Sequence, residues 1–469
     1  MRRSSPILVL LIACSVLVVW SQRSDTHTPE TPQTSLIAQT PPTPQDPAGA
    51  QGLGRSQGRG RGVGTGRGAM PTPSYAVPKA PSGVKEGQTW IPELPSTESL
   101  LPPPGWQPSN VEVPWMPATL LRLPRTNIVK AKYPVIDFHV HAGNTTPELI
   151  ALMDQVGMGA EVNLNGGTGA SIDSALKASA PYKDRVADFV TWSPIVNGVN
   201  IKDPGYSAAW AAELERGFKA GAMGLKVAKN MGLGAKNPDG SYIQADDSRL
   251  DAGWEMCAKY NKPVMIHLSD PIGRFYPISP SNERYEAGLW HGSGDNGNYY
   301  NNGSPSAARI EQARENMHAK HSKTIFVNAH MAMLYYDPAK VAALLDKYPN
   351  AMVEVSATIQ DLGRAPRFWR DFIIKYQDRV LFGTDGNPRA DPDTFWRPHF
   401  RFFETFDEYF EHPAQIRTAG GSPGHGRWNI SGIGLPDDVL RKVYYLNALK
   451  YLPSLRDSIN RQLATRGLR

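Results

Sequence analysis

Two histidines separated by one residue lie in the apolar stretch 135–143, Val-Ile-Asp-Phe-His-Val-His-Ala-Gly. This stretch predicts a β-strand, whose alternate side chains point to the same face, so we expect His139 and His141 to lie side by side. Imidazole is a common ligand of divalent metals, and two imidazoles on one strand provide half of a four-ligand site. The pair alone is equally compatible with two ordinary, partly exposed histidines.

Further candidate ligands follow other predicted strands. His267 ends Val-Met-Ile-His, His330 ends Phe-Val-Asn-Ala-His, and Asp385 lies in Val-Leu-Phe-Gly-Thr-Asp. Each one alone is more often a buried histidine or a turn aspartate than a metal ligand. Together, the order HxH, His, His, Asp at successive strand ends predicts a metal site. We expect Asp137 and Asp270 to support the ligand histidines.

The elements that position these residues are eight predicted strands, which alternate with helical segments. The strands are expected at 135–141, 160–164, 186–195, 222–228, 264–268, 324–329, 351–356 and 380–383. This alternation predicts a parallel sheet with right-handed crossovers, and eight strands are the number that closes a (β/α)8 TIM-like barrel. An open doubly wound sheet is the alternative, but no Gly-rich phosphate loop follows the first strand. In such a barrel, reactive residues lie where strands end.

The N-terminus predicts export. Arg2 and Arg3 precede an apolar run at 6–20, which is shorter than the roughly 20 residues of a membrane span. Residues 1–21 are therefore interpreted as a signal peptide, with a lipoprotein signal lipidated at Cys14 or an uncleaved anchor as alternatives. We expect a periplasmic, cell-surface or extracellular protein. Its N-terminus could also associate with the envelope or a membrane.

Composition divides the rest of the chain. Residues 22–89, rich in Pro, Thr, Gly and Arg, are predicted to be a disordered linker, because such a segment buries too little apolar surface to fold. Residues 90–130 carry aromatics and leucines between prolines and predict an extended arm packed on the next domain. Residues 131–469 are expected to form the barrel domain with C-terminal helices.

The formal net charge of +6 is small and spread along the chain. We therefore expect no nucleic-acid partner. A small-molecule substrate is expected from the candidate site. The sequence is compatible with either a monomer or an oligomer.

Four segments of the chain together resemble a known family. They are VIDFHVHAG (135–143), PVMIHLSDP (263–271), IFVNAHMA (325–332) and LFGTDGNP (381–388). In this order they resemble the amidohydrolase superfamily, in its amidohydrolase-related (type 2) branch, which includes the aminocarboxymuconate-semialdehyde decarboxylase and pyrone-dicarboxylate lactonase types. The resemblance spans about residues 133–452 and implies a (β/α)8 barrel with one divalent metal.

By motif, the resemblance implies metal ligands at His139, His141, His267 and Asp385. It implies that His330 is the catalytic histidine, and Asp385 is expected to share the catalytic proton transfers. Such ligands suit Zn²⁺, while Mn²⁺ and Fe²⁺ are compatible with the same set.

This ligand set leads to a metal-dependent hydrolase as the first prediction. A metal-bound hydroxide would attack the carbonyl of a lactone, amide or ester, Asp385 would move the proton, and His330 would polarise the carbonyl. The alternative is a non-oxidative decarboxylase of an unsaturated or aromatic acid at the same site. A second alternative is an inactive barrel that serves as an envelope binding protein, although the intact ligand set argues against it.

Four residues are predicted to bind the substrate. Arg389 closely follows the last strand and suits a carboxylate, and Arg284 and Trp290 lie in the segment 270–305, whose length is typical of a lid. Lys226, on the predicted fourth strand, is expected to hold a substrate carboxylate. The superfamily's binuclear members place a carboxylated, metal-bridging lysine on this strand, and the mononuclear interpretation is favoured here.

Overall fold

Eight parallel strands form one sheet in the computed structural model, which describes residues 79–90, 119–143, 145–277, 282–284, 298–387, 392–393, 395–413, 426 and 428–468. The strands are β1 Val135–Val140, β2 Met158–Asn163, β3 Val186–Thr191, β4 Gly224–Val227, β5 Val264–Ile266, β6 Phe326–Asn328, β7 Ala351–Glu354 and β8 Val380–Leu381. Each strand pairs with the next in chain order. All eight are buried almost throughout, which is why they read as continuous apolar runs in the sequence.

The first and last strands close the sheet. The backbone N–H of Phe138 donates to the carbonyl of Phe382 at 3.0 Å, and that of His141 donates to Gly386 at 2.8 Å. Val140 and Gly386 also form a parallel bridge. The predicted (β/α)8 barrel is therefore confirmed.

Helices connect the strands and cover the barrel. The longer ones between strands are α1 Pro147–Val156, α2 Ala170–Ser179, α3 Tyr206–Ala220, α4 Asp251–Lys259, α5 Ala307–Lys320, α6 Pro338–Lys347 and α7 Pro366–Lys375. After β8 come α8 Trp396–Glu404, α9 Asp437–Arg441 and α10 Arg456–Thr465. Shorter helical turns lie at Asn230–Leu233, Ile359–Leu362 and Asn447–Leu449. Several begin at side-chain caps: Thr146, Ser306 and Asp337 each accept a hydrogen bond from a backbone N–H of the first turn. Such caps satisfy donors that have no partner within the helix.

Aromatic side chains from different strands pack against each other in the interior. Phe138 and Phe189 meet edge to face, with ring centroids 5.9 Å apart. Gly224 lies against the Phe189 ring, where an added Cβ would be only 2.4 Å from it. Burial of each phenylalanine contributes about 1.5–3 kcal/mol.

A π-helical turn, Lys442–Leu446, follows α9 and anchors β8. The carbonyl of Val443 accepts the backbone N–H of Phe382 at 3.0 Å. Asn447 donates to the carbonyls of Gln377 and Val380 at 2.7 and 2.8 Å. These bonds hold the strand that precedes Asp385.

The N-terminal segments that the structure describes lie on the barrel. Thr89–Trp90 pairs with Arg125–Thr126, and Arg125 makes a buried two-bond contact with Glu411. The signal-peptide segment 1–21 lies outside the described residues. Within the described part of the chain, no helix has the length and apolarity to cross a membrane.

Candidate active site

Five residues that the sequence singled out converge at the carboxyl ends of the strands. The Nε2 atoms of His139 and His141 lie 3.2 and 3.1 Å from Oδ1 of Asp385. Nε2 of His330 lies 3.3 Å from Nδ1 of His267 and 4.0 Å from Oδ2 of Asp385. Strands β1, β5, β6 and β8 thus bring together residues that are up to 246 positions apart in the chain, from 139 to 385.

The outer ring nitrogens of two histidines are bound to acceptors from β7 and the residues after it. Nδ1 of His139 lies 3.0 Å from Oε1 of Glu354, and Nδ1 of His330 lies 2.7 Å from the carbonyl of Ser356. A carbonyl or an ionised carboxylate only accepts hydrogen bonds. In both rings the proton therefore lies on Nδ1, and the neutral ring has its lone pair on Nε2.

The other two histidines follow the same pattern. Nε2 of His267 lies 2.8 Å from the carbonyl of Ser269. Nδ1 of His141 lies 2.9 Å from Oδ1 of Asn165, whose amide group donates to the carbonyl of Ala142 and so identifies Oδ1 as the acceptor. Both protons again point away from the site.

When the rings are neutral, the inner ring nitrogens and the Asp385 carboxylate are consequently acceptors, and Nζ of Lys226 is a donor beside Nε2 of His139. Nε2 of His139, Nε2 of His330 and a carboxylate oxygen of Asp385 lie within 4.8 Å of one another. Lone pairs at such distances repel unless a cation lies between them. Imidazole nitrogen with carboxylate oxygen is a suitable donor set for Zn²⁺, Mn²⁺ or Fe²⁺, so the residues present fit a divalent metal.

The charge states agree with this interpretation. Burial raises the pKa of Asp385, but the neighbouring imidazoles, His139 above all, outweigh burial and hold that pKa well below its usual range. Burial lowers the pKa of His267 strongly and that of His330 as well. Metal ligands must be deprotonated, and these groups meet that condition at neutral pH.

His139 differs from the other histidines. Burial and Lys226 lower its pKa, but the carboxylates of Asp385 and Glu354 raise it overall. A proton on Nε2 of His139 would donate to Asp385, so a proton and a metal would compete for the same position. Metal binding at this site is expected to release that proton.

Glu354 is a site residue that sequence reasoning missed. It ends β7, is fully buried, and also accepts the backbone N–H of His330 at 2.8 Å. Burial raises its pKa, but His139 and the other hydrogen-bond donors outweigh burial and lower the pKa to about 2. The available signal is an acidic residue at the end of the apolar run Ala-Met-Val-Glu, within the strand predicted at 351–356.

Lys226 lies inside the cluster. Its Nζ is 3.1 Å from Nε2 of His139, and its side chain is buried. Burial lowers its pKa to about 8, against the opposing influence of Asp385 and Glu354. Lys226 therefore borders the same space as the candidate ligands.

The backbone is left-handed at several positions of the site. His330, Met331, Ala332 and Met333 have φ values between 51° and 61°, and Asp385 has φ 57°. This conformation costs non-glycine residues roughly 1–2 kcal/mol each. Such strain is concentrated at functional sites, where the surrounding structure enforces it.

The predicted supporting aspartates have other partners. Asp137 accepts the backbone N–H of His139 at 3.1 Å and both N–H and O–H of Thr384, so it holds the backbone of β1 and β8 together. Asp270 accepts from Lys229 and from the hydroxyl of Tyr299.

The predicted substrate-binding arginine Arg284 is buried and forms an ion pair with Asp361. Its guanidinium also lies 5.5 Å from the ring of Trp428. Arg389 and Trp290 lie outside the described residues.

A barrel with histidines and an aspartate at its strand ends defines a class of metal-dependent enzymes. A family model described as Amidohydrolase matches residues 136–453. The chain belongs to this amidohydrolase family, in its amidohydrolase-related (type 2) branch, whose members are metal-dependent hydrolases and decarboxylases. The predicted resemblance is thereby confirmed.

Several solved structures match the chain at low identity. A dihydroxybenzoic acid decarboxylase from Polaromonas sp. JS666, with bound manganese and 2-nitroresorcinol, is 14% identical; the match covers 68% of this chain and 97% of that one, with a TM-score of 0.42. A 5-carboxyvanillate decarboxylase from Novosphingobium aromaticivorans, complexed with manganese, is 14% identical over 69% and 98% of the two chains, with a TM-score of 0.41. A candidate 2-pyrone-4,6-dicarboxylic acid hydrolase from Pseudomonas putida is 12% identical over 68% and 98%, with a TM-score of 0.38. A search of curated proteins gives no match.

Proposed function

We propose that this enzyme hydrolyses a small carbonyl substrate, a lactone, amide or ester, at one divalent metal. The observation that carries the proposal is the convergence of imidazole lone pairs on a carboxylate at the strand ends. The proposed ligands are His139, His141, His267 and Asp385, the set that the family motifs imply. His330, whose Nε2 lies in the same cluster, is assigned to proton transfer instead. Zn²⁺ is the proposed metal, and it supplies a Lewis acid that polarises a carbonyl and lowers the pKa of water.

Asp385 and His330 are proposed to move the protons. The Asp385 carboxylate is ionised at neutral pH, and about a third of its side chain (31%) is exposed. Nε2 of His330 carries a lone pair because Nδ1 donates to Ser356. We therefore assign His330 as an acceptor for the proton of the attacking water, which it then returns to the leaving group.

This assignment differs from the expectation that His330 polarises the carbonyl. Donation from Nε2 would require a doubly protonated ring, and burial lowers the pKa of His330 and so opposes that form. Hydrolysis needs an acceptor for the proton of the nucleophilic water, and the unprotonated Nε2 of His330 lies among the candidate ligands, 3.3 Å from Nδ1 of His267.

Decarboxylation of an unsaturated or aromatic acid is the second candidate, and Lys226 is the observation in its favour. Its Nζ lies 3.1 Å from Nε2 of His139, where an ammonium group could pair with a substrate carboxylate. Such a pair would orient the acid for loss of carbon dioxide.

The test is an assay of the full-length protein loaded with Zn²⁺ or Mn²⁺ against lactones, amides, esters and aromatic acids. Hydrolysis predicts ring opening or acid release without carbon dioxide, with turnover that disappears on chelation and returns with metal. Carbon dioxide release from the acids would select the decarboxylase instead. Metal binding without turnover of any class would favour a binding protein and contradict the proposal.

We also propose that the protein is exported through residues 1–21. The basic start followed by a short apolar run supports this proposal. Sequencing the N-terminus of the protein recovered from a bacterial envelope fraction tests it: a start at Gln22 is expected, and an intact Met1 in the cytoplasm would contradict it.

A further inference from the structure

The carboxylate of Glu354, at the end of β7, bonds both His139 and His330. Oε1 of Glu354 accepts from Nδ1 of His139 at 3.0 Å and from the backbone N–H of His330 at 2.8 Å. The side chain of Glu354 is fully buried. Because water does not reach this carboxylate, the hydrogen bonds from His139 and His330 have no replacement from solvent.

Ser356 completes the same network. Its backbone N–H donates to Oε2 of Glu354 at 2.6 Å, and its hydroxyl donates to Oε1 at 2.7 Å. The oxygen of that hydroxyl lies 2.9 Å from Nδ1 of His139 and 3.0 Å from Nδ1 of His330. Since its proton is directed to Glu354, the hydroxyl oxygen is available as an acceptor for both rings.

The barrel leaves space for this carboxylate. An added Cβ at Gly383 would lie 2.4 Å from Oε2 of Glu354 and 3.1 Å from Cβ of His139. A side chain at Gly383 would displace Glu354 or the histidine. The glycine after β8 thus permits the close approach of β7 to the site.

We propose that Glu354 is a positioning residue that fixes the tautomer of His139 and the left-handed backbone of His330 at the same time. The proposal rests on the proposed function in taking His139 as a metal ligand and His330 as a proton acceptor. With Nδ1 of His139 held as a donor, its Nε2 lone pair faces the metal position. With the backbone N–H of His330 held, the strained turn that aims its ring stays in place. Partners of this kind orient metal-binding imidazoles and strengthen binding.

The test uses the Glu354→Gln variant of the full-length protein, which keeps the size of the side chain and removes its charge. Nitrogen-15 spectra of histidine-labelled, metal-free protein distinguish the Nδ1–H from the Nε2–H tautomer, and His139→Asn and His330→Asn assign the two rings. At a pH where both rings are neutral, wild-type protein is expected to show Nδ1–H for both. In Glu354→Gln, the His139 signal is expected to shift toward a mixture of tautomers.

Mn²⁺ affinity, measured by calorimetry, is the second readout. Glu354→Gln is expected to weaken Mn²⁺ binding on the order of 10–100-fold, the usual effect of losing such a partner. Glu213→Gln is the matched control, because Glu213 is also buried and bound to a backbone N–H, that of Gly169, and to Arg216, away from the site. This control is expected to keep the wild-type tautomers and Mn²⁺ affinity.

Unchanged tautomers and unchanged Mn²⁺ affinity in a folded Glu354→Gln protein would overturn the proposal. If that variant does not fold, the wild-type spectrum still decides, since an Nε2–H tautomer at His139 contradicts the role of Glu354. Failure of the proposed function would be seen in the wild-type protein, which would bind no Mn²⁺ or turn over no substrate. The tautomer measurement is independent of that result, because it is made on metal-free protein.

Discussion

Nδ1 of His267 and Nε2 of His330 face each other at 3.3 Å, and each is the ring nitrogen that lacks a proton. The opposite nitrogens donate to the carbonyls of Ser269 and Ser356. Two lone pairs in this arrangement require a cation or a shared proton between them. This contact supports a metal centre at the strand ends more specifically than the presence of histidines alone does.

Removing the His330 ring should separate metal binding from turnover. We expect His330→Ala to keep the metal on the proposed ligands and to lose turnover by roughly 10²–10⁴-fold, the usual contribution of a general acid–base. Metal analysis and steady-state kinetics on the same sample provide the measurement. His318→Gln is the control, since His318 is a buried histidine bonded to Asn328. Loss of metal together with turnover would show that His330 is a ligand instead.

An Ala→Gly substitution in the left-handed turn should destabilise the protein less than the same substitution elsewhere. Ala332 has φ 61°, whereas Ala329, equally buried, has φ −61°. Both Ala→Gly changes lose a methyl group and add unfolded-state entropy, but only Ala332→Gly relieves left-handed strain, worth roughly 1–2 kcal/mol. In urea unfolding, Ala332→Gly should therefore be more stable than Ala329→Gly by about that amount. Equal losses would mean that the turn is not strained.

A buried glutamate outside the site should make stability depend on pH. Glu161 is fully buried, and its carboxyl oxygens have no hydrogen-bond partner among the described residues. Burial, then Asp137 and Asp188, raises its pKa to about 8, against Arg185. The folded state therefore keeps a proton that the unfolded chain loses above its ordinary pKa of 4.5.

The sign of this effect follows from proton linkage. Stability from neutral Glu161 is fully present below pH 4.5 and is lost as the pH rises through about 8, at up to about 1.4 kcal/mol per pH unit. Glu161→Gln should remove this part of the decline when unfolding is followed by urea titration between pH 5 and 9. The same slope in wild type and variant would contradict a neutral Glu161.

The stability of an Arg284 variant should show whether Arg284 has a structural or a substrate-binding role. Breaking a buried pair leaves Asp361 uncompensated and costs roughly 3–5 kcal/mol, so Arg284→Ala should lower the free energy of unfolding by about that amount. Lys347→Ala, which breaks the exposed pair with Glu315, should leave the free energy of unfolding nearly unchanged, because solvent screens an exposed ion pair. Unchanged stability of Arg284→Ala with a raised KM would assign Arg284 to the substrate.

The sequence predicted the barrel and the convergent histidines because both follow from local patterns. Short apolar strands alternating with helices define the fold, and HxH on a strand places two rings together. The pairing of β1 with β2 shifts its register between Asp137 and Val140, which simple alternation did not predict. Asp137 in this part of β1 bonds the backbone of His139 instead of supporting its ring.

The partners of the histidines were harder to predict because they depend on long-range contacts. Glu354 lies 215 positions from His139, and Asn165 lies 24 positions from His141. Nothing in a local pattern distinguishes Glu354 from any other acidic residue at a strand end. Only the closed barrel brings β7 beside β1 through β8.

Metal content is the measurement that tests the central claim most directly. Full-length protein equilibrated with Zn²⁺ or Mn²⁺ and freed of excess metal should contain about one divalent ion per chain by elemental analysis. The double variant His139→Ala/His141→Ala should contain almost none while remaining folded by circular dichroism. A wild-type protein without bound metal, or a double variant that retains one ion per chain, would contradict the metal centre.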